Sequence, residues 1–238
     1  MRERILCMYS GGVDSTAVVY KLLTELKYLS YDIHVHHISM INLENKHDAE
    51  LSAVFNCLGW LKKKIPNRKI LFTKNIIDFN FLQPICPVDS DIFSFVAGQI
   101  FRSCNPESGM KVKYTYFATG LIKDDIDRAV NYTTSESKKQ EIKQSIDKKK
   151  YSLTASTRTD KIINACLQPL ETDTLTINVP ERIYPIMNLY KPDVIKILPK
   201  DLLKLTWSCR SPIRKNNKYY ECNECKSCKE KSTGLKTQ

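Results

Sequence analysis

The fold is decided by the stretch Ile5-Leu6-Cys7-Met8-Tyr9-Ser10-Gly11-Gly12-Val13-Asp14-Ser15-Thr16. Its first part, residues 5–9, is a short apolar run that predicts a buried β-strand. Beyond the two glycines, apolar side chains recur at helical spacing, at Val18, Val19, Leu22, Leu23 and Leu26. A buried strand that turns through paired glycines into a helix is typical of the first unit of a parallel α/β sheet.

The chain up to about residue 205 continues to alternate apolar or β-branched runs with amphipathic patterns. Further strands are predicted at residues 32–38, 70–73, 114–119 and 176–179. Helices are predicted at residues 47–63, 91–102 and 160–170, and in part at 192–205. This alternation predicts the α/β class with a doubly wound parallel sheet.

Composition predicts a large α/β domain at residues 1–205 and a small C-terminal segment at residues 206–238. Within the large domain, residues 131–156 turn polar and Lys-rich, with Ile142 and Ile146 as the only aliphatic pair. We interpret this stretch as an insertion that forms an exposed helix or excursion. After Trp207 the apolar periodicity stops, so something other than a hydrophobic core must order the tail, and a metal ion is the obvious candidate.

Overall composition excludes several classes of protein. Hydrophobic residues make up 42% of the chain and charged residues 26%, which excludes a disordered or fibrous chain and is ordinary for a globular one. No apolar run approaches the roughly 20 residues that cross a bilayer. We therefore expect no membrane association and a cytoplasmic location.

The charge balance favours an anionic partner. The 37 Lys and Arg residues outnumber the 26 Asp and Glu residues, for a formal net charge of +11. Residues 196–238 alone hold 11 basic and 4 acidic residues, so the excess is concentrated at the C-terminus. Such a balance suggests nucleotide phosphates or a nucleic acid as the partner.

The turn between the first strand and the first helix has the features of a phosphate site. Gly11 and Gly12 let the backbone turn tightly and expose N–H groups with no Cβ in the way. Hydroxyl groups are available at the N-terminus of the helix on Ser10, Ser15 and Thr16. Asp14 is a candidate to hold a magnesium ion against the phosphates. The simpler alternative is a Gly-Gly turn followed by a Ser or Asp helix cap.

Four of the nine cysteines fall in the tail with the spacing C-x12-C-x2-C-x2-C, at Cys209, Cys222, Cys225 and Cys228. Two sulfurs of a CxxC segment reach one ion through a tight turn, and four thiolates close a tetrahedral zinc site with no position left for water. We therefore predict a structural zinc ion. A disulfide or redox role and an iron–sulfur cluster are the alternatives.

The segment from Tyr9 to Thr16 resembles the pyrophosphate loop of the N-type ATP pyrophosphatases, a group that includes GMP synthetase, NAD synthetase and the tRNA thiolation enzymes. It is neither a Walker pattern nor a G-x-G-x-x-G pattern. Members of the group cleave ATP between the α- and β-phosphates and adenylate a carbonyl oxygen, and a nucleophile then displaces AMP. The resemblance implies that ATP contacts Tyr9, Ser10, Gly11, Gly12, Val13, Asp14, Ser15 and Thr16.

Together, this loop and the cysteine pattern resemble the 7-cyano-7-deazaguanine synthase family, which converts 7-carboxy-7-deazaguanine to its nitrile in the queuosine pathway. The landmarks follow the order of that family and span most of the chain, with poor identity between them: residues 10–16, His47 with Glu50 and Ala53, Thr119-Gly120, Pro185 with Lys191, and Thr206-Trp207-Ser208-Cys209. The resemblance implies that Gly120 contacts the nucleotide and that His47 contacts the substrate. It also implies that Lys191 neutralises charge on the departing pyrophosphate.

Two departures from the pattern of the family affect the substrate. Where the family has Pro-x-Arg-Asn before a helix, this chain has Pro87-Val88-Asp89-Ser90, so a carboxylate and a hydroxyl replace a cation and an amide. The Lys-rich insertion precedes the base-contacting segment, in which Asp160 is a candidate match. A carboxylate there would accept hydrogen bonds from the N1–H and amino edge of a guanine-like base. The alternative for Asp160 is a solvated cap of the next helix.

The leading hypothesis is an ATP-dependent carbon–nitrogen ligase with Mg²⁺ and a structural Zn²⁺. A deazapurine carboxylate attacks the α-phosphorus of ATP, ammonia displaces AMP to give an amide, and a second activation with loss of water leaves the nitrile. Catalysis is assigned to Ser10, Asp14 and Lys191, because adenylation mainly requires that phosphates be positioned and their charge neutralised. No general base is nominated.

Two other functions stay open. The net charge and the Lys-rich insertion favour an adenylating enzyme that modifies tRNA or DNA, although aromatic residues are not interleaved with the basic runs as base stacking would require. The altered motif at Asp89 and Ser90 is consistent with a nucleotide-binding protein that lacks catalysis. A homodimer is left open as well.

Overall fold

The structure, a computed structural model, describes residues 2–41, 46–79, 89–103, 112–132, 135–137, 139–140, 154–167, 180–216 and 218–237. Its strands are β1 (Arg2–Met8), β2 (Asp32–Ile41), β3 (Ile70–Asp78), β4 (Val112–Ala118), β5 (Glu181–Ile183), β6 (Ile213–Lys215) and β7 (Lys218–Tyr220). Its helices are α1 (Val13–Thr24), α2 (His47–Lys64), α3 (Asp89–Ser103), α4 (Lys123–Tyr132), α5 (Thr154–Leu167), α6 (Lys191–Ile197), α7 (Lys200–Leu205) and α8 (Lys226–Thr237).

Five parallel strands form one sheet in the order β3-β2-β1-β4-β5, with β1 at its centre. Cys7 of β1 pairs with Val35 of β2 on one side and with Ala118 of β4 on the other. The chain builds β2 and β3 on one side of β1 and then crosses to build β4 and β5 on the other. The connections after β1 and β4 therefore diverge, and a crevice opens between them at the carboxyl edge of the sheet.

Helices cover both faces of the sheet. On one face, a large apolar cluster joins β1 and β2 to α1, α2, α6 and α7 through side chains such as Ile5, Leu22 and Leu61. On the other face, a second cluster joins Leu6 and Phe117 to α3 and α5. This arrangement confirms the predicted doubly wound α/β fold.

Several element boundaries differ from the prediction for local reasons. β3 continues to Asp78 because it is an edge strand whose outer residues face solvent, which tolerates the polar Lys74 and Asn75. The helical pattern predicted at 192–205 is split into α6 and α7 at Pro199, which precedes α7 as its N-cap. None of the helices in the described part of the chain is long and apolar enough to cross a membrane.

Packing helps to order the C-terminal tail, contrary to the expectation that no core would contribute. α8 contacts α6 and α7, and its Leu235 packs against the main apolar cluster. Lys231 of the same helix is buried, and its ammonium donates to the Thr206 carbonyl at 2.6 Å and to the Glu221 carboxylate at 3.0 Å. In a Lys-rich helix the sequence does not distinguish a buried lysine from an exposed one, so the buried contacts of Lys231 were not predicted.

Some predictions fall outside the described residues. They are the strand at residues 176–179, the end of the helix at 168–170, and most of the Lys-rich insertion at 131–156. The fifth strand that the structure does describe, β5, follows immediately after and was not predicted.

The close packing of α3 on α5 predicts that a side chain at Gly98 lowers the stability of the fold. A Cβ at Gly98 would lie 2.6 Å from the Cβ of Cys166, so Gly98→Ala is expected to destabilise the fold by about 1–3 kcal/mol. Gly59→Ala is the matched control, because nothing lies within 4 Å of its Cβ position on α2. That change is expected to stabilise by up to about 1 kcal/mol through helix propensity. Urea unfolding measures both, and equal stability of the two variants would contradict the packing.

Candidate functional site

The phosphate loop, residues 9–16, lies at the crevice beside the end of β1. Gly11 there has a φ of +76°, a left-handed conformation that favours glycine. A Cβ at Gly11 would also lie 3.0 Å from the backbone nitrogen of Val54 and 3.1 Å from the carbonyl oxygen of Glu50. α2 therefore packs directly against the back of the loop and leaves room only for a residue without a side chain.

Hydroxyl groups brace the front of the loop. The Ser10 hydroxyl lies 3.3 Å from the backbone nitrogen of Gly12 and 3.2 Å from the Ser15 hydroxyl, which donates to the Gly12 carbonyl at 3.2 Å. The N–H groups of Asp14 and Ser15 belong to the first turn of α1 and have no partner within the helix. Such a turn, with the positive end of the helix dipole behind it, suits an anion.

A strap formed by Trp207 and Ser208 holds the loop from the C-terminal side. The Trp207 backbone N–H donates to the Gly11 carbonyl at 2.9 Å, and the Val13 backbone N–H donates to the Ser208 hydroxyl at 3.2 Å. The next residue in the chain is Cys209 of the predicted metal site. The strap therefore joins the cysteine cluster to the phosphate loop by adjacent residues.

Lys191 and Asp14 form an ion pair at the mouth of the crevice. The Lys191 ammonium lies 2.7 Å from each carboxylate oxygen of Asp14. The Lys191 backbone N–H, at the start of α6, donates to the carboxylate of Asp124 at 2.7 Å. Burial raises the pKa of nearby Asp125, and the Asp14 charge adds to that effect. A cation and carboxylates thus converge beside the loop.

A cavity of about 220 Å³ opens in front of the loop. Loop residues form its floor, and its walls come from the end of β2, from α2, from α6 and from the strap. Its lining includes Ser10, Gly12, Asp14, Ser15, Ile38, Met40, Lys46, Lys191, Trp207, Ser208 and Arg210. The lining combines helix N–H groups and charged side chains with apolar side chains, a mixture that suits a nucleotide.

A second cavity, of about 460 Å³, lies on the β4 side of the same loop. Its walls are mainly apolar and aromatic, and Arg182 brings a guanidinium to it. The lining includes Met8, Asp89, Ser90, Phe93, Phe117, Thr119, Gly120, Asp125, Arg182 and Tyr184. Six residues line both cavities, so a molecule in one would meet a molecule in the other beside the loop: Met8, Ser10, Asp14, Ser15, Asp89 and Phe93.

The structure places most of the predicted site residues together. The first cavity is lined by Tyr9, Ser10, Gly12, Val13, Asp14, Ser15 and Lys191, and the second by Gly120. Gly11 lines neither cavity, because its Cα faces α2 at the back of the loop.

Three predicted residues lie elsewhere or outside the description. Thr16 is fully buried with its hydroxyl 3.0 Å from the Tyr9 hydroxyl, so it belongs to the core below the loop and does not offer its hydroxyl to a phosphate. His47 lines neither cavity, and its Nε2 lies 3.5 Å from the Asp48 carboxylate. The side chain of Asp160 lies outside the described part of the chain.

Other lining residues were not predicted. Arg182 and Tyr184 come from the short β5 region, which carried no recognisable strand pattern. Phe93 lies one helical turn after Asp89 on α3, and that i, i+4 spacing was the available signal that both face the cleft. Lys46 precedes α2 and is buried beside Glu50, with their charged groups 3.6 Å apart.

Two histidines under the first cavity share a polar network and are kept neutral by burial. His34 contacts the Tyr114 hydroxyl through Nδ1 and the Thr73 hydroxyl through Nε2, at 2.6 Å for the second contact. The same Thr73 hydroxyl lies 2.7 Å from His36, which lines the cavity. Burial lowers the pKa of His34 to about 4 and also lowers the pKa of His36. These rings therefore support the cavity wall as neutral groups.

The four tail cysteines form a cluster that could hold a metal ion. Their sulfur atoms all lie within 4.8 Å of one another, and the Cys222 and Cys228 sulfurs are 3.9 Å apart. Asn223, between two of the ligands, has a φ of +61°, which turns the CxxC segment tightly. Cys209 reaches the cluster from the strap, and the Cys222 backbone N–H donates to its sulfur at 3.3 Å.

Backbone hydrogen bonds favour the thiolate form at Cys222 and Cys225, whereas burial raises the pKa of Cys209 and Cys228. Hydrogen bonds from the backbone of Cys225 and Glu224 lower the pKa of Cys222. Burial pushes the pKa of Cys225 up, but hydrogen bonds from the backbone of Arg210 and Cys228 and from neighbouring thiols outweigh it and lower that pKa to about 6. Because the thiolate is the form that binds metal, this donor set suits a thiophilic ion.

Neither a protein-family model nor a curated protein sequence matches the chain. Among solved structures, it is similar to the U34-tRNA thiolase NcsA from Methanococcus maripaludis with its [4Fe-4S] cluster, at 14% sequence identity and a TM-score of 0.46. The match covers 99% of this chain and 64% of the thiolase chain, so this chain spans under two thirds of its length. A likeness at this level concerns the path of the chain alone.

Proposed function

We propose that the protein is an ATP-dependent adenylating enzyme that releases AMP and pyrophosphate. The observation that carries the proposal is the pair of cavities that meet at Ser10, Asp14 and Ser15. One cavity offers helix N–H groups and Lys191 for phosphates, and the other offers aromatic walls and a cation for an acceptor. An acceptor oxygen and an α-phosphorus bound in this way would approach each other across the loop.

The residues of the first cavity would act on the phosphates. The first turn of α1 and the Ser10 and Ser15 hydroxyls bind phosphate oxygens, and Lys191 stabilises the negative charge that builds on the departing pyrophosphate. Asp14 holds Lys191 in place through the 2.7 Å ion pair. The Asp14 carboxylate would also hold Mg²⁺ bound with ATP, and the ion would neutralise phosphate charge there.

The second cavity fits a planar acid such as 7-carboxy-7-deazaguanine. Phe93, Phe117 and Tyr184 supply aromatic contacts to a flat ring, and Arg182 is a cation for its carboxylate. Asp89, which stands where the resembled family has a cation, would repel that carboxylate and instead accept hydrogen bonds from ring N–H or amino groups.

The proposed reaction uses two molecules of ATP. A carboxylate oxygen attacks the α-phosphorus, the bond to pyrophosphate breaks, and ammonia then attacks the acyl carbon to release AMP and a proton and leave the amide. The amide oxygen is adenylated in turn, with pyrophosphate released. Loss of AMP and a proton leaves the nitrile.

We propose that the cysteine cluster holds a single zinc ion with a structural role. Zn–S bonds of about 2.3 Å in a tetrahedron separate the sulfurs by about 3.8 Å, close to the 3.9 Å between Cys222 and Cys228. A four-iron cluster bonds each thiolate to a different iron, which requires sulfurs farther apart. Four protein ligands leave no open position on zinc for catalysis.

A second candidate function is the adenylation of a base within a nucleic acid. The observation that favours it is the positive charge of the tail, which continues from the metal cluster into the exposed β6–β7 hairpin. The same chemistry at the loop would then act on a base oxygen presented by a polynucleotide.

The deciding experiment combines the purified protein with ATP, Mg²⁺, ammonium and 7-carboxy-7-deazaguanine, and follows AMP together with the mass of the base. We expect AMP that depends on the acid, and amide or nitrile as product. Arg182→Gln is expected to lower this rate about tenfold or more, because the substrate carboxylate loses its charged partner. Bound ATP without AMP for any acceptor would instead identify a nucleotide-binding protein that lacks catalysis.

A further inference from the structure

The β6–β7 hairpin and the residues before it, together residues 210–220, carry an excess of positive charge. Residues 210–220 hold four basic residues and no acidic residue, and Glu221 is the one acidic residue between Cys209 and Cys222 of the cysteine cluster. All three residues of β6 are exposed, so its own packing contributes little to holding the hairpin in place. The metal ligands at both ends anchor it, which leaves its side chains available for another role.

The register of the hairpin places like charges opposite each other. Lys215 of β6 pairs with Lys218 of β7 beside the turn, where Asn216 has a φ of +50°. Like charges directly opposite in an antiparallel pair destabilise it. No carboxylate in the described part of the chain forms an ion pair with either lysine. A bound polyanion would relieve this repulsion.

Aromatic side chains lie next to these cations in the folded hairpin. The basic runs in the sequence did not indicate this proximity. Tyr220 is 50% exposed and pairs with Ile213, which is 42% exposed, on the same face as the two lysines. On the opposite face, the guanidinium of Arg214 lies 5.8 Å from the centre of the Tyr219 ring. The hairpin therefore carries a ring on each face beside positive charge, as stacking platforms for nucleotide bases do.

A groove of about 880 Å³ runs behind the hairpin, between β7, α2 and the residues that follow α7. Its lining includes Lys204, Lys218, Tyr219 and Tyr220, together with Ser52 and Asn56, which can hydrogen-bond to a 2′-hydroxyl. Two carboxylates also line it, those of Asp48 and Glu221, and the second is neutralised by Lys231 at 3.0 Å. Trp207 lines both this groove and the cavity at the phosphate loop. A strand in the groove would therefore border the nucleotide site.

We infer that the β6–β7 hairpin and this groove form a binding surface for single-stranded RNA. Stacked bases would contact the tyrosines, and phosphates would contact Lys215 and Lys218. A duplex would not offer unstacked bases to these rings. The inference deepens the second candidate function and rests on it for a polynucleotide partner, and Ser52 and Asn56 favour RNA through its 2′-hydroxyl. The binding itself requires no adenylation.

The test is fluorescence anisotropy with a labelled uridine-rich RNA oligonucleotide at several salt concentrations. The variants are Lys215→Ala with Lys218→Ala, and Tyr220→Ala. The matched control is Lys62→Ala with Lys63→Ala, which removes the same two charges from the exposed end of α2. We expect the hairpin variants to bind about tenfold or more weakly, and the lysine pair to reduce the salt slope by about 1.4. Metal content checks that the tail is folded in each variant.

Competitors and an independent readout make the outcome decisive. Weak competition by polyglutamate, duplex RNA and single-stranded DNA supports the inference. Equal or tighter binding of any of them, absence of RNA binding, or equal losses in the hairpin and control variants would overturn it. AMP formation with the small acid as acceptor is measured on the same proteins, so loss of RNA binding and failure of adenylation are distinguished.

Discussion

Lys191→Ala is expected to reduce ATP-dependent AMP formation by about 100-fold or more. The change removes the cation nearest the phosphate loop, whose ammonium lies 2.7 Å from both oxygens of Asp14. It also leaves the Asp14 carboxylate without its ion-pair partner, facing the triphosphate. Removal of one positioned charge from a preorganised site commonly has an effect of this size on the chemical step. Single-turnover AMP release, measured at saturating ATP, tests it.

Two further variants separate the possible roles of Lys191. Lys196→Ala removes a lysine from the same helix at an exposed position, and AMP formation should stay unchanged. Asp14→Asn combined with Lys191→Ala removes the charge imbalance, so ATP binding measured without Mg²⁺ should recover. AMP formation should stay low, because the variant lacks both Lys191 and the carboxylate that would hold Mg²⁺. Full activity of this double variant would show that Lys191 only neutralises Asp14 and does not stabilise the transition state.

Removal of the proposed zinc ion is expected to release the tail and weaken nucleotide binding by about tenfold or more. Cys209 directly follows the strap, whose two hydrogen bonds hold Gly11 and Val13. Loss of two hydrogen bonds of about 1 kcal/mol each accounts for an effect of that size. Cys225→Ser, or treatment with a strong chelator, followed by titration with a nucleotide tests the link. Limited proteolysis of the tail reports its release.

The controls for this prediction isolate each step. Cys166→Ser changes a cysteine outside the cluster and should retain the metal. Ser208→Ala removes one hydrogen bond of the strap without touching a metal ligand, so it should keep the metal and lose about two- to tenfold in nucleotide affinity. Elemental analysis that finds one zinc per chain supports the single-ion site, whereas four irons would contradict it. Unchanged nucleotide affinity in metal-free protein would contradict the expected link between the cysteine cluster and the phosphate loop.

Local patterns were enough to predict part of the site. Gly11, Gly12 and the flanking hydroxyl residues are adjacent in sequence, so their backbone geometry follows from steric rules over a few residues. Cys222, Cys225 and Cys228 likewise lie within reach of one ion through a short turn. The assignment failed at Thr16 because hydroxyl residues at a helix start look alike in sequence, and only the packed sheet shows that this one points into the core.

The amino-acid sequence by itself determined the α/β class, the strand–turn–helix at the phosphate loop and the four-cysteine cluster, because each follows from the spacing of residue types along the chain. The tertiary structure alone decided which distant groups complete them. Lys191 reaches Asp14, Ser208 reaches Val13, and Arg182 enters the second cavity. These contacts depend on the crossing of the chain from one side of β1 to the other and on the docking of the tail. Both follow from the burial of apolar surface throughout the fold, which no short stretch of residues encodes.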